Sequence, residues 1–126
     1  MNEKSCITIN CGCCGSVTGS IQETLLYDGP VGAAGSTHEL LQPVGDYKLL
    51  LIEAVWQSTT TPVQKRTGTR CIIFPEVGEK MLYTCFRGSE STINFYFPTE
   101  NTFLHHSSWK KTDESGISSF KIYGFQ

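Results

Sequence analysis

This chain has no long apolar run, no helical period and little charge, and each absence removes a class of protein. No stretch of 18 consecutive apolar residues occurs anywhere, so no transmembrane helix is expected. The opening Met1-Asn2-Glu3-Lys4-Ser5-Cys6 has no apolar core of a secretory signal, which points to synthesis and folding in a cytosol. No window combines apolar residues at helical spacing with capping residues, which argues against a helical bundle. Charged residues make up 17% of the chain and hydrophobic ones 39%, against roughly 25% and 45–50% in ordinary globular domains. The net charge is −2, and the basic residues gather only at Lys110-Lys111, with Lys65-Arg66 and Arg70 elsewhere. That is no electrostatic footprint for nucleic acid.

Serine, threonine and glycine fill the deficit, and they punctuate a series of strand signals. At 126 residues one domain is expected, able to bury about two-thirds of its unfolded surface. The chain divides near residue 20. Residues 1–20 hold four of the six cysteines and one short alternating run, 6–10. Beyond it, strands are predicted over 21–27, 37–41, 47–56, 69–74, 80–87, 92–97, 102–109 and 117–125. Turn signals such as Asp28-Gly29-Pro30, Pro43 and Pro98 separate them. Both faces of 47–56 are mostly apolar, which predicts a central strand covered on both sides. The closing strand is predicted to run almost to Gln126 and to belong to the core, since a terminus frays unless a sheet holds it. The fold expected is all-β: an antiparallel β-sandwich, jelly-roll-like, of about seven to nine strands.

The cysteines invite a metal reading that their spacing does not favour. Cys6, Cys11, Cys13 and Cys14 could supply four thiolates. Structural zinc takes ligands in pairs two to four residues apart, whereas Cys13 and Cys14 are adjacent and would point oppositely in extended chain. These four stay as weak candidates, and no cofactor is expected. Cys71 and Cys85 fall in predicted strands and read as core thiols rather than a bridge, given a cytosolic origin.

No Ser/His/Asp set, acidic dyad or phosphate loop is recognisable, so an enzyme is not expected. His105 and His106 are adjacent and would face opposite sides of a strand, which prevents joint chelation of one ion without a third group. A binding protein is the better reading. Aromatic rings sit beside polar loop residues: Trp56 before Gln57-Ser58-Thr59, Tyr96 and Phe97 before a turn containing Asn101, and Trp109 before Lys110. A ring flanked by hydrogen-bonding groups suits a sugar, which stacks its C–H face while its hydroxyls find partners. The candidate binding residues are Trp56, Tyr96, Asn101, His105, His106 and Trp109.

Three segments carry a resemblance. Leu25-Leu26-Tyr27-Asp28-Gly29 opens the second part of the chain, Asp46-Tyr47-Lys48-Leu49-Leu50-Leu51-Ile52 follows, and Phe120-Lys121-Ile122-Tyr123-Gly124-Phe125 closes it. In this order, across residues 21–126, they resemble the C-terminal β-domain of tailed-bacteriophage tail-fibre, tail-tip and head-fibre proteins. The resemblance implies a homotrimer in a virion, assembled in the bacterial host cytoplasm, that binds a host-surface glycan or protein or decorates the capsid. It supplies no catalytic residues. Such domains usually follow a long shaft, and here only residues 1–20 precede it. That segment is therefore expected to attach the domain to other virion proteins or to trimerise it, its small residues allowing close approach at an axis. The alternatives are a free-standing carbohydrate-binding module and a metal- or thiol-dependent protein using the N-terminal cysteines; a capsule depolymerase stands further off.

Overall fold

The computed structural model describes the backbone of residues 6–11, 15–58, 66–87, 91–110 and 114–126, and the side chains of 22–57, 68–87, 91–110 and 116–126. Among the described residues the chain is all-β, with two antiparallel sheets packed face to face. The strands are β1 (Cys6–Cys11), β2 (Gly15–Gly29), β3 (Thr37–Glu39), β4 (Leu49–Ser58), β5 (Arg66–Ile73), β6 (Tyr83–Arg87), β7 (Ser91–Thr99), β8 (Thr102–Trp109) and β9 (Glu114–Phe125). One sheet has the order β1-β2-β9-β4-β5 and the other β3-β8-β7-β6. β2 runs without interruption across residue 20 and pairs with β1 on one side and β9 on the other.

Period-2 alternation decides the faces. On β4, Leu50, Ile52, Ala54 and Trp56 are buried against the second sheet, while Leu49, Leu51, Glu53 and Val55 are half-buried on the outside. The expectation of cover on both faces is thus corrected for the described residues: β4 is central within its sheet, between β9 and β5, but among the described residues only one of its faces lies under another layer. On β7 the alternation is complete, with Ile93, Phe95 and Phe97 fully buried. β2 breaks the alternation with a bulge between Leu25 and Tyr27. The extra residue lets Leu26 and Tyr27 both pack on the core, while Leu25 stays outside.

The centre of the core is aromatic and joins the sheets. Phe120 of β9 lies 5.6 Å from Phe95 of β7 and 5.5 Å from Phe103 of β8, centroid to centroid. Tyr27 meets Phe103 edge-on at 4.7 Å. Burying each such ring contributes about 1.5–3 kcal/mol, with a further ~0.5–1.5 kcal/mol for a favourable ring pair.

The element limits shift where local chemistry overrides the pattern. The strand expected over 37–41 stops at Glu39, and Leu41 is exposed. Pro43 then leads into a 3-10 turn at Val44–Asp46, which delays β4 to Leu49. β6 starts only at Tyr83, after a turn around Gly78, and β5 reaches back to Arg66, inside what reads as loop in the sequence. No helix among the described residues is long and apolar enough to cross a membrane.

Candidate functional site

A cleft of about 260 Å³ opens at one end of the sandwich, between the sheets. Its walls come from Pro30, Val31 and Gly32 after β2, Trp56 near the end of β4, His105, Ser108, Trp109 and Lys110 at the end of β8, and Gly116 and Ile117 of β9. Three of the six residues picked from sequence converge here: Trp56, His105 and Trp109. They do so because β4 and β8 end at the same edge of the molecule.

The two tryptophans play different parts. Trp56 is 1% exposed and forms the floor, so it plugs the end of the core as much as it lines the cleft. Trp109 is 68% exposed and stands at the rim. An exposed indole beside a concave surface is available to stack on a ligand; a buried one is not.

The wall between residues 30 and 32 is held by three side chains that receive three consecutive carbonyls. The Tyr27 hydroxyl donates to the carbonyl of Pro30. His38 Nε2 donates to that of Val31 at 2.6 Å, and His105 Nδ1 to that of Gly32 at 3.0 Å. His38 is itself fixed by stacking on Phe103 at 4.8 Å. Gly32 adopts φ 67°, a left-handed conformation open to glycine at no steric cost. Backbone bonds complete the anchoring: Gly35 N–H to the His105 carbonyl at 2.6 Å, and His105 N–H to that of Ser36 at 2.9 Å. The wall is therefore preformed.

His105 carries the main electrostatic feature. A carbonyl only accepts, so Nδ1 bears the proton and Nε2 of the neutral ring is an acceptor. His105 is 3% exposed, and its Nε2 is buried with no hydrogen-bond partner. A buried acceptor left unpaired costs about 1–3 kcal/mol. Ser108 and Lys110 add polar groups to the same rim.

The other sequence candidates stand elsewhere. His106 is the extra residue of a bulge on β8, where Asn94 pairs with Ser107 and Phe95 with His105. It turns outward, exposed, with Nδ1 3.0 Å from Ser107 Oγ. Tyr96 lies half-buried on the outer face of the four-stranded sheet. Asn101 sits in the turn between β7 and β8, exposed. It is separated from Trp109 by the length of β8, some ~26 Å at about 3.3 Å per residue. Neither Tyr96 nor Asn101 lines the cleft. Cys6 and Cys11 occupy the two ends of β1, while Cys13 and Cys14 lie outside the described residues. Among the described residues, no group of three or more His, Cys, Asp or Glu side chains is placed to hold a metal ion.

Sequence reasoning missed the wall. Val31 and Gly32 read as plain loop, and the only signal for their role was a set of hydrogen-bonding rings (Tyr27, His38, His105) whose meeting depends on sheet topology. Comparison with protein-family models, curated proteins and solved structures gave no match, so the reading of this cleft rests on its own geometry.

Proposed function

We propose that this chain is a receptor-binding component of a bacteriophage virion, a β-sandwich of fibre-tip or head-fibre type that takes a surface carbohydrate at the Trp109 cleft. The observation that carries the ligand class is the exposed Trp109 ring at the rim of a cleft with a preformed wall. An indole face for a sugar's C–H surface, with the polar groups of Ser108 and Lys110 on the same rim for its hydroxyls, is what carbohydrate recognition needs. A volume of about 260 Å³ is below the ~300–1,000 Å³ of pockets that engulf a drug-sized molecule. It suits one ring or chain end, with the rest of a glycan lying along the surface.

We read the cleft as a site of binding rather than turnover: glycoside hydrolysis uses a pair of carboxylates about the scissile bond, and the lining among the described residues is aromatic, small and hydroxyl- or amine-bearing. The virion setting is supported by the three-segment resemblance. It gains weight from β9 lying between β2 and β4 while β8 pairs with β3, an interleaving that suits a jelly-roll-like relation. Residues 1–20 would join the domain to the particle.

The test is binding of bacterial surface glycans and their oligosaccharides, followed by calorimetry and tryptophan fluorescence. Trp109→Ala is expected to weaken the best ligand at least about tenfold, the equivalent of ~1.4 kcal/mol, with the fold intact. If no glycan binds, or if Trp109→Ala binds as well as the parent, the reading falls.

A further inference from the structure

The outer face of the five-stranded sheet carries two cross-strand rows whose order is informative. The first is apolar: Leu25 of β2 pairs with Tyr123 of β9, Tyr123 with Leu51 of β4, and Leu51 with Ile72 of β5. All four lie at least partly exposed, Ile72 at 63%. The second row, next to it, is charged: Asp28 pairs with Lys121, Lys121 with Glu53, and Glu53 with Arg70. The signs alternate as minus, plus, minus, plus, and Arg70 Nε reaches Glu53 Oε2 at 2.8 Å.

Alternation between neighbouring strands is stabilising within one chain. An even number of alternating charges has a second property: read backwards, the row is the opposite of itself. A two-fold axis running along the strands, between β9 and β4, turns each row over onto its own reverse. It sets Asp28 on Arg70 of a second copy and Lys121 on its Glu53, and it lays the apolar row on the apolar row. A two-fold axis across the strands would instead place each charge on its own copy. Only the first arrangement is complementary, and it agrees with the aligned packing of one sheet on another.

The surface also has room for it. A shallow depression of about 480 Å³ lies beside Glu53 and Arg70, lined by Val55, Gly68 and Thr69. There the side chain of Lys121 from a second copy would enter, because Gly68 contributes no side chain of its own. We propose that this face is where two copies of the chain pair about a two-fold axis parallel to β9 and β4. The apolar row supplies the burial and the charged row fixes the register.

The resemblance to fibre tips implies three-fold assembly instead. A three-fold axis would set this face against a different surface and make no use of its reversal symmetry. Multi-angle light scattering on the intact chain at micromolar concentration separates the two. The expected mass is twice the 14.0 kDa of the chain; a mass of one chain or of three overturns the proposal. Charge reversal then tests the register. Lys121→Glu alone opposes like charges at the centre of the pair, and so does Glu53→Lys alone, so each variant is expected to run as a monomer. Mixed in equal amounts, the two present opposite charges at all four positions and are expected to form a heterodimer. The double variant is expected to pair with itself again. Circular dichroism checks that each variant is folded. Dimers that persist in both single variants, or a mixture that stays monomeric, overturn the proposal.

Discussion

The ring of Tyr47 lies directly over Gly124: a Cβ built on that glycine would stand 2.6 Å from two ring carbons. Glycine in a strand interior weakens it unless something else approaches closely, and here the approaching group is an aromatic ring that is 9% exposed. Gly124→Ala is therefore expected to force the ring aside and cost about 1–3 kcal/mol, the usual range for overpacking. Chemical denaturation measures it. In a Tyr47→Leu background the same substitution should cost distinctly less, and equal costs in the two backgrounds would show that the contact does not govern the site.

Tyr27 links stability at high pH to the cleft wall. Burial, and next to it the charge of Asp28, push its phenol above the ordinary value of about 10. The folded state thus favours the neutral phenol. Its contribution is complete below pH ~10 and is lost as the pH rises from there through the higher folded value. Tyr83 and Tyr123 are raised in the same direction, chiefly by burial. Tyr27→Phe removes the donor to the Pro30 carbonyl and should cost about 0.5–1.5 kcal/mol at neutral pH. It should also flatten the alkaline loss of stability, as read from denaturation midpoints between pH 8 and 11, and an unchanged alkaline slope would count against this account.

The sandwich was legible because alternation is a local property, written clearly in 92–97 and 117–125. The three segments of the resemblance turn out to be neighbours: Leu25–Gly29 lies in β2, Asp46–Ile52 enters β4 from Leu49, and Phe120–Phe125 lies in β9, with β9 between the other two. The cleft residues lie outside all three segments. Trp109 stood out by its polar neighbours. The clamp of Tyr27, His38 and His105 did not, since residues 11 and 67 positions apart meet only once β3 pairs with β8. The limits of β3 and β4 were misjudged because Pro43 and the Val44–Asp46 turn act through local backbone geometry, which an apolar pattern does not register.

His105 and Trp109 should separate wall stability from ligand contact. His105→Phe keeps an aromatic ring in the core but leaves the Gly32 carbonyl without its donor. A net loss in urea is expected, smaller than the ~1–3 kcal/mol of an orphaned carbonyl because the variant also removes the unpaired Nε2. Trp109→Ala, at an exposed rim position, should stay within about 0.5 kcal/mol of the parent. The reverse order of stabilities would mean that Trp109, and not His105, holds the end of the sandwich together.

Cys71 of β5 and Cys85 of β6 bring the edges of the two sheets together, their Sγ atoms 3.1 Å apart. The hydrogen bond between the two thiols holds Cys71 below its ordinary range, while the same bond and burial push Cys85 well above it. Cys71 is then the thiolate that reacts first, and its alkylation by iodoacetamide should accelerate as pH rises through its lowered pKa, with Cys85 following slowly. With glutathione disulfide, the Cys71 thiolate attacks one sulfur and releases glutathione thiolate. Cys85 gives its proton to solvent, attacks the mixed disulfide and releases the second glutathione, leaving a Cys71–Cys85 bond. A loop of this size, ~15 residues, predicts stabilisation of about 3 kcal/mol, measured as a higher urea midpoint for the oxidised protein. Peptide mass spectrometry should find the bridged pair lighter by two hydrogens, and Cys71→Ser should abolish both the bridge and the gain. An oxidised protein with the midpoint of the reduced one would mean that the bridge strains the sheet edges as much as it restrains the unfolded chain.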